Sequence, residues 1–240
     1  MIPTFSTESA VQRRSYSAAR RMLIAATCSV FVLSFVPGAQ LITYPLQLFT
    51  TIIHEGGHAV MCYLTGGSVD RIGIDPNGSG VTLIQGGIPA LFYMAGYLGA
   101  TVFGAVALHV GRRLNMGRRA LGLIGGIVLG ITVLWIHPWS SPFGFLAGSI
   151  IGTLLLLGAK FLPETAAHFA ASFLAIQVSL NALTDIRNLL YLTTATGADN
   201  DAVFMAKTYF MPPWFWAGLW AIIAAGVLFA SLRVYWRNGK

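Results

Sequence analysis

Charged residues are scarce in this chain. Of its 240 residues only 10% are Asp, Glu, Lys or Arg, while 55% are hydrophobic. A typical soluble domain carries about 25% charged residues, so this composition excludes an ordinary soluble protein and indicates an integral membrane protein. The net charge of +7 comes from basic residues at the ends of apolar runs. This is the usual position for membrane flanks, and we therefore expect no nucleic-acid partner.

Cysteines and strand-forming segments are also few. Cys28 and Cys62 both lie within apolar runs, so the sequence indicates no disulfide framework. The one strand signal is a pair of β-branched runs, 69–74 and 81–85, separated by Pro, Asn and Gly residues. This pattern predicts a β-hairpin, and the alternative is an irregular surface loop. Internal repeats, which many transporters show, are absent from the sequence.

Long apolar runs make up most of the chain, and about 20 helical residues cross the hydrocarbon core. The sequence predicts about seven spans, at 22–36, 41–64, 89–110, 120–137, 143–162, 166–193 and 214–233. We therefore expect an all-α, multi-pass integral membrane protein, a polytopic helix bundle in the lipid bilayer with one small hairpin.

The polar, arginine-rich residues 1–21 predict a disordered cytoplasmic tail, followed by one membrane-embedded domain over 22–240. A secretory signal peptide is the alternative for the first apolar run. Seven strict crossings would place the arginines of segment 112–119 on the side opposite the N-terminus, against the positive-inside tendency. The alternatives are that one of the runs lies at the interface instead of crossing, or that the charge tendency is overridden in this chain.

His54, Glu55 and His58 form an H-E-x-x-H motif inside the run 41–64. Residues four apart share a helix face, so both imidazoles can bind one metal ion with Glu55 beside it. A tetrahedral Zn²⁺ then needs a third protein ligand and an open position for water, and the carboxylate can act as general base. The alternative is a pair of histidines that serve packing alone. Ionisable groups in a span are costly, however, and usually mark function.

Asp185 is the predicted third ligand because of its depth in the membrane. At 1.5 Å per residue it lies roughly 12 Å before the end of the sixth predicted span, and His58 lies roughly 9 Å before the end of the second. By the same arithmetic His168 is some 25 Å too far away. An ion pair with Arg187, or a hydrogen bond to Asn181, is the alternative role for Asp185.

Three further residues are candidates for contacts around the metal. Asn181 lies one turn from Asp185 on the same helix face and could orient that ligand or touch the substrate. Gly56 and Gly57 leave space beside the metal for a substrate backbone. Water must reach a site roughly 10 Å below the membrane surface, so we expect a polar cavity between the second and sixth spans.

Several segments together resemble a known family. They are H-E-G-G-H-A at 54–59, the hairpin at 71–82, A-G-Y-L-G at 95–99, N-A-L-T-D-I-R-N-L at 181–189 and A-D-N-D-A-V-F-M-A at 198–206. This set resembles the site-two protease family of intramembrane zinc metalloproteases, in particular its compact bacterial peptidase M50B-like branch. Better-known members carry Asn-Pro-Asp-Gly around the third ligand, whereas this chain has Thr184-Asp185-Ile186.

The resemblance implies a zinc metalloendopeptidase in a bacterial cell membrane. One Zn²⁺ per chain would be held by His54, His58 and Asp185, and the substrate would be a membrane-anchored protein. Two alternatives stay open: a catalytically silent relative that binds membrane proteins, and a metal-binding membrane transporter.

The hairpin directly after the metal helix has its own predicted role. Unwinding a helical substrate frees N–H and C=O groups that hydrocarbon cannot satisfy. We expect the hairpin to lie next to the metal and to offer a strand edge that pairs with those groups.

Overall fold

A computed structural model describes residues 5–36, 40–195 and 200–237, with side chains throughout except at 5–14, 34–35, 40–42, 182–195 and 234–237. The described elements in chain order are α1 (Phe5–Phe35), α2 (Gln40–Leu64), β1 (Ser68–Ile74), β2 (Gly80–Gln85), α3 (Pro89–Val110), a 3₁₀ turn (Leu114–Met116), α4 (Gly117–Trp135), α5 (Pro142–Phe161), α6 (Glu164–Ala195), α7 (Asp201–Tyr209) and α8 (Pro213–Arg237). The predicted mostly helical fold with one small hairpin is confirmed.

Within the described part of the chain, five segments are long and apolar enough to cross a membrane: Ser15–Leu33, Pro89–Val110, Leu114–Trp135, Pro142–Phe161 and Pro213–Arg233. The chain is therefore an integral membrane protein. Over their described residues, α2 and α6 do not qualify as spans, so the predicted count of seven is not confirmed. In sequence α2 resembles a membrane span, but one face of this helix is polar and includes Thr50, Thr51 and Glu55.

Helix α1 begins at Phe5, so the prediction of a disordered tail over 1–21 is wrong for most of that segment. Tyr16, Ala19 and Leu23 recur at helical spacing and are buried, mainly where α1 packs on α6. Burial of this apolar stripe stabilises the helix beyond its intrinsic propensity.

The beginning of α1 and the connection between α3 and α4 lie at the same end of the bundle. The Arg113 Nε donates a hydrogen bond to the Tyr16 hydroxyl at 2.9 Å, and the Leu114 backbone N–H donates to Ser15 Oγ at 3.2 Å. Seven strict crossings would put these segments on opposite sides, so strict alternation is wrong. The arginines of both segments then lie at one end of the bundle, the arrangement that the positive-inside tendency favours.

His168 is fully buried near this same connection. Its Nε2 lies 2.7 Å from the Gly111 carbonyl oxygen, and its Nδ1 lies 3.5 Å from Ser172 Oγ. This histidine therefore joins α6 to the end of α3. Its role is structural, which agrees with its exclusion as a metal ligand.

The two strands form the predicted antiparallel hairpin. Ile72 pairs with Thr82 and Ile74 pairs with Gly80, and the register shifts by one residue between Val69 and Arg71. The turn includes Gly78, whose φ of 87° favours glycine. The alternative of an irregular loop is therefore excluded.

The hairpin lies along α2. At its tip the Tyr44 hydroxyl donates to the Pro76 carbonyl at 2.5 Å, and Thr51 Oγ1 donates to the Gly78 carbonyl at 2.8 Å. On the outer side of β1, the Ile74 N–H donates to Ser141 Oγ at 3.0 Å, and the Ser141 hydroxyl lies 3.2 Å from the Ile74 carbonyl. These contacts hold β1 against the α4–α5 connection and leave β2 beside the H-E-x-x-H face.

Candidate metal centre

His54 and His58 meet on one face of α2, as their spacing of four residues predicts. Their Nε2 atoms lie 3.0 Å apart. The His58 ring is buried, and its Nδ1 lies 2.6 Å from the Phe92 carbonyl oxygen in α3. A proton on Nδ1 donates to that carbonyl, which leaves the Nε2 lone pair free to bind a metal.

The third group at this site is Asp201, the first residue of α7. Its Oδ2 lies 3.4 Å from the Nε2 atoms of both His54 and His58. Asn200 caps the helix, because its side-chain oxygen accepts the Val203 N–H at 3.1 Å. The cap sets where α7 begins and so aims the Asp201 carboxylate at the two histidines.

The spacing of these donor atoms suits a zinc ion. Bonds of about 2.0–2.1 Å at tetrahedral angles place neighbouring ligand atoms about 3.3 Å apart. In the structure the ligand atoms are separated by 3.0 Å between the two histidines and by 3.4 Å from each of them to Asp201. All three ligand atoms fall within 4.8 Å of one another. Two imidazoles and one carboxylate are also a usual donor set for catalytic zinc, which keeps a fourth position open.

Space for the ion is left by Gly96 in α3. A Cβ at this position would lie 2.4 Å from His58 Nε2 and 2.5 Å from His54 Nε2. Any side chain there would collide with the ligand atoms, so glycine is required where α3 passes the histidines. Beside Gly96, the ring of Tyr97 packs edge-on against His54 with centroids 4.6 Å apart, and Trp220 stacks on the Tyr97 ring with centroids 5.6 Å apart.

The Asp201 carboxylate is held in its charged form. Burial alone would raise the pKa of this carboxyl, but the positive charge of a protonated His58 and the hydrogen bonds of both histidines lower it below its usual value, and a metal cation bound in place of those protons would act in the same direction. An ionised carboxylate is the form that binds a metal cation.

Glu55 lies beside the histidines and is buried. Its Oε2 accepts a hydrogen bond from Thr82 Oγ1 of β2 at 2.6 Å. The carboxylate is thus between the histidine face of α2 and the hairpin.

Two cavities meet at His54 and Glu55. The first, of about 470 Å³, is largely polar and lies between α2, the hairpin turn and α6, where its lining includes Gln177 and Asn181. It agrees with the polar cavity expected between these helices. The second, of about 540 Å³, lies between α2, β2, α3 and α7, and Asp201 also lines it.

The other sequence-predicted residues are placed as follows. The side chain of Asp185 lies outside the described residues, within α6. Asn181 donates from Nδ2 to Thr50 Oγ1 at 3.4 Å and thus lines the polar cavity. Gly56 and Gly57 line neither of the two cavities beside the metal centre. A Cβ at Gly56 would meet Ile131 of α4, and one at Gly57 would meet the backbone of α3, so both glycines allow helices to pack closely.

Sequence reasoning missed Asp201 because it searched for the third ligand inside predicted spans. Asp201 lies instead on a short helix between α6 and α8. Two signals could have found it. Asn200-Asp201 has the form of a helix N-cap followed by an acidic first residue, and the segment 198–206 was already part of the family resemblance.

The Gly96 contact can be tested by substitution. Gly96→Ala should lower zinc affinity at least about tenfold, the effect typical of disturbing the surroundings of a ligand, because the methyl group displaces both imidazoles. Gly99→Ala is the matched control, since its Cβ would make an ordinary contact of 3.4 Å with Gly57 Cα. Zinc content after dialysis against a weak chelator measures both, and equal zinc in the two variants would contradict the assigned geometry.

Comparison with known proteins identifies the family. The family model described as Peptidase M50B-like matches residues 23–231. No curated protein and no solved structure matches this chain. Enzymes of the M50 group are membrane metallopeptidases that are zinc-dependent in general, and the cluster of His54, His58 and Asp201 could hold such an ion. The matched segment contains the H-E-x-x-H motif, the hairpin and α7, and the chain therefore belongs to the Peptidase M50B-like family of site-two proteases.

Proposed function

We propose that this protein is an intramembrane zinc metalloprotease that hydrolyses a peptide bond of a membrane-anchored protein. His54, His58 and Asp201 would hold one zinc ion, and Glu55 would be the general base. The observation that carries the proposal is the near-tetrahedral spacing of the three donor atoms, with the Glu55 carboxylate beside them.

The chemistry divides between the ion and the side chains. Zinc bound at this site supplies Lewis-acid chemistry, making water more acidic and a carbonyl more electrophilic. Glu55 accepts one proton from the attacking water and passes it to the leaving nitrogen as the C–N bond breaks. The Phe92 carbonyl holds His58 in the tautomer that the site needs.

The two cavities support separate routes for water and substrate. The polar cavity beside Gln177 and Asn181 offers hydrogen-bonding groups that water needs on its way through an apolar protein. The second cavity contains apolar and aromatic groups such as Val81 and Phe204 as well as Asp201, which suits a polypeptide. Both end at His54 and Glu55, so water and peptide would approach the base from different sides.

Strand β2 supports the predicted role of the hairpin in holding the substrate. Its residues 80–84 line the second cavity, and the opposite strand is held against Ser141. An extended peptide added to β2 would have its backbone groups satisfied without sequence-specific contacts. This would let the enzyme cleave substrates that share little sequence.

The first test concerns the third ligand. Loss of an outer-sphere partner lowers zinc affinity roughly tenfold to hundredfold. Asp201→Asn should lower it further than that, because a neutral amide replaces a charged ligand. Asp185→Asn should leave zinc content unchanged. Metal analysis of the two purified variants decides between them. Zinc lost in the Asp185 variant and retained in the Asp201 variant would return the third-ligand role to Asp185.

The second test concerns the reaction itself. Glu55→Gln should retain zinc and fold but lower the rate of hydrolysis about 10²- to 10⁴-fold, since the amide keeps the shape of the side chain and removes the base. Cleavage of a single-span reporter protein in proteoliposomes measures it. Wild-type turnover by the variant would contradict the assignment of Glu55 as general base. Zinc-dependent transport without cleavage would favour the transporter alternative.

The third test concerns β2. Proline is placed at one position at a time from 81 to 84. Turnover should fall most at the two alternating positions whose N–H groups face the cavity, because proline lacks this donor. Reporter cleavage and zinc content are measured for each variant. If every variant with full zinc content cleaves normally, the strand does not hold the substrate.

A further inference from the structure

The face of β2 that meets α2 surrounds the Glu55 carboxylate. Thr82 Oγ1 lies 2.6 Å from Glu55 Oε2 and 3.1 Å from the Glu55 backbone carbonyl. A hydroxyl has one proton to donate, and a carboxylate is a stronger acceptor than a peptide carbonyl. The Thr82 hydroxyl therefore donates preferentially to the side chain of Glu55.

Gly80, two residues earlier on the same face of β2, completes this contact. A Cβ there would lie 2.7 Å from Glu55 Cγ and 2.8 Å from Glu55 Oε1. Even an alanine would push the carboxylate out of its place. The strand thus places a hydroxyl beside the carboxylate at Thr82 and no side chain beside it at Gly80.

This arrangement fixes the position of the Glu55 carboxylate, which α2 alone cannot do. The helix sets the backbone of Glu55, but a glutamate side chain has three rotatable bonds and several staggered rotamers. A general base has to stay within hydrogen-bond reach of the proton that it removes. The Thr82 donor at one carboxylate oxygen, with the room that Gly80 leaves beside the rest of the side chain, favours one position of the carboxylate.

We propose that Thr82 is a positioning residue that holds the Glu55 carboxylate for proton transfer, and that Gly80 leaves the room it needs. This inference rests on the proposed function. It makes the hairpin part of the catalytic machinery as well as a wall of the substrate cavity. The strand that would bind the peptide also sets the orientation of the base.

A purely structural role would predict different results. Thr82 could simply fasten the hairpin to α2, as the hydrogen bond from the Tyr44 hydroxyl to the Pro76 carbonyl does at the hairpin tip. Tyr44→Phe removes that tip contact without touching Glu55 and is the matched control. Thr82→Ser keeps the hydroxyl, whereas Thr82→Val keeps the shape and loses the donor.

The experiment uses the zinc-loaded full chain and the reporter protein in proteoliposomes. Thr82→Val should lower kcat about ten- to a hundredfold, with KM and zinc content near those of the wild type. Gly80→Ala should also lower kcat. Thr82→Ser and Tyr44→Phe should retain kcat within about threefold, a small change in activation free energy, because both variants keep the hydroxyl that faces Glu55.

A second measurement needs no turnover. Acetohydroxamate chelates zinc and donates a hydrogen bond to a neighbouring base carboxylate, so its binding reports the position of Glu55. Its Kd, measured by calorimetry, should rise about tenfold in Thr82→Val, as expected for losing one charge-assisted hydrogen bond, and should rise no further when Glu55→Gln is added.

Two results would overturn the inference. One is a Thr82→Val variant with wild-type kcat and hydroxamate affinity. The other is an equal loss in Thr82→Val, Thr82→Ser and Tyr44→Phe, which would make Thr82 a structural fastening. Either can occur while Glu55→Gln lowers the rate of hydrolysis and Asp201→Asn loses zinc, so failure of this inference is distinct from failure of the proposed function.

Discussion

The polar face of α2 is the feature on which the rest of the structure depends. His54, Glu55 and His58 lie together on a helix inside a mostly apolar protein, and buried polar groups cost free energy unless each finds a partner. Each partner comes from a different element. The Phe92 carbonyl of α3 meets His58, Thr82 of β2 meets Glu55, and the α7 carboxylate meets both histidines.

These partners explain why the elements are placed as they are. Helix α3 has to pass close to the histidines, and Gly96 makes that approach possible. The hairpin has to run along α2, and hydrogen bonds from Tyr44 and Thr51 fasten its turn to the helix. The small sheet in a helical membrane protein is thus an integral part of the site.

The short helix α7 brings an ionised group to the centre without carrying it on a membrane span. A charged side chain within a span is costly, whereas Asp201 lies at the N-terminus of a nine-residue helix, where the helix dipole favours a negative charge. In this member of the family, the carboxylate that meets the two histidines is therefore carried by a short helix between two long ones.

Local features of the structure could be predicted from the sequence. The pairing of His54 with His58 follows from residues four apart sharing a helix face. The hairpin follows from two β-branched runs around a turn that contains Gly78. The membrane location follows from composition. Each of these depends on residues close together in the chain, where helix and turn geometry leave few alternatives.

Contacts between distant residues were decided by the tertiary structure alone. Asp201 is more than 140 positions from His58, and nothing in the local pattern says which carboxylate will meet the histidines. Equal depth of Asp185 and His58 in the membrane requires that α2 and α6 both cross it as simple spans. Over their described residues neither helix qualifies as a span, and the hairpin lies along the polar face of α2. The hydrogen bond from Thr82 to Glu55 likewise depends on the register of β2 along α2. Packing of whole elements sets that register, and only the folded chain determines it.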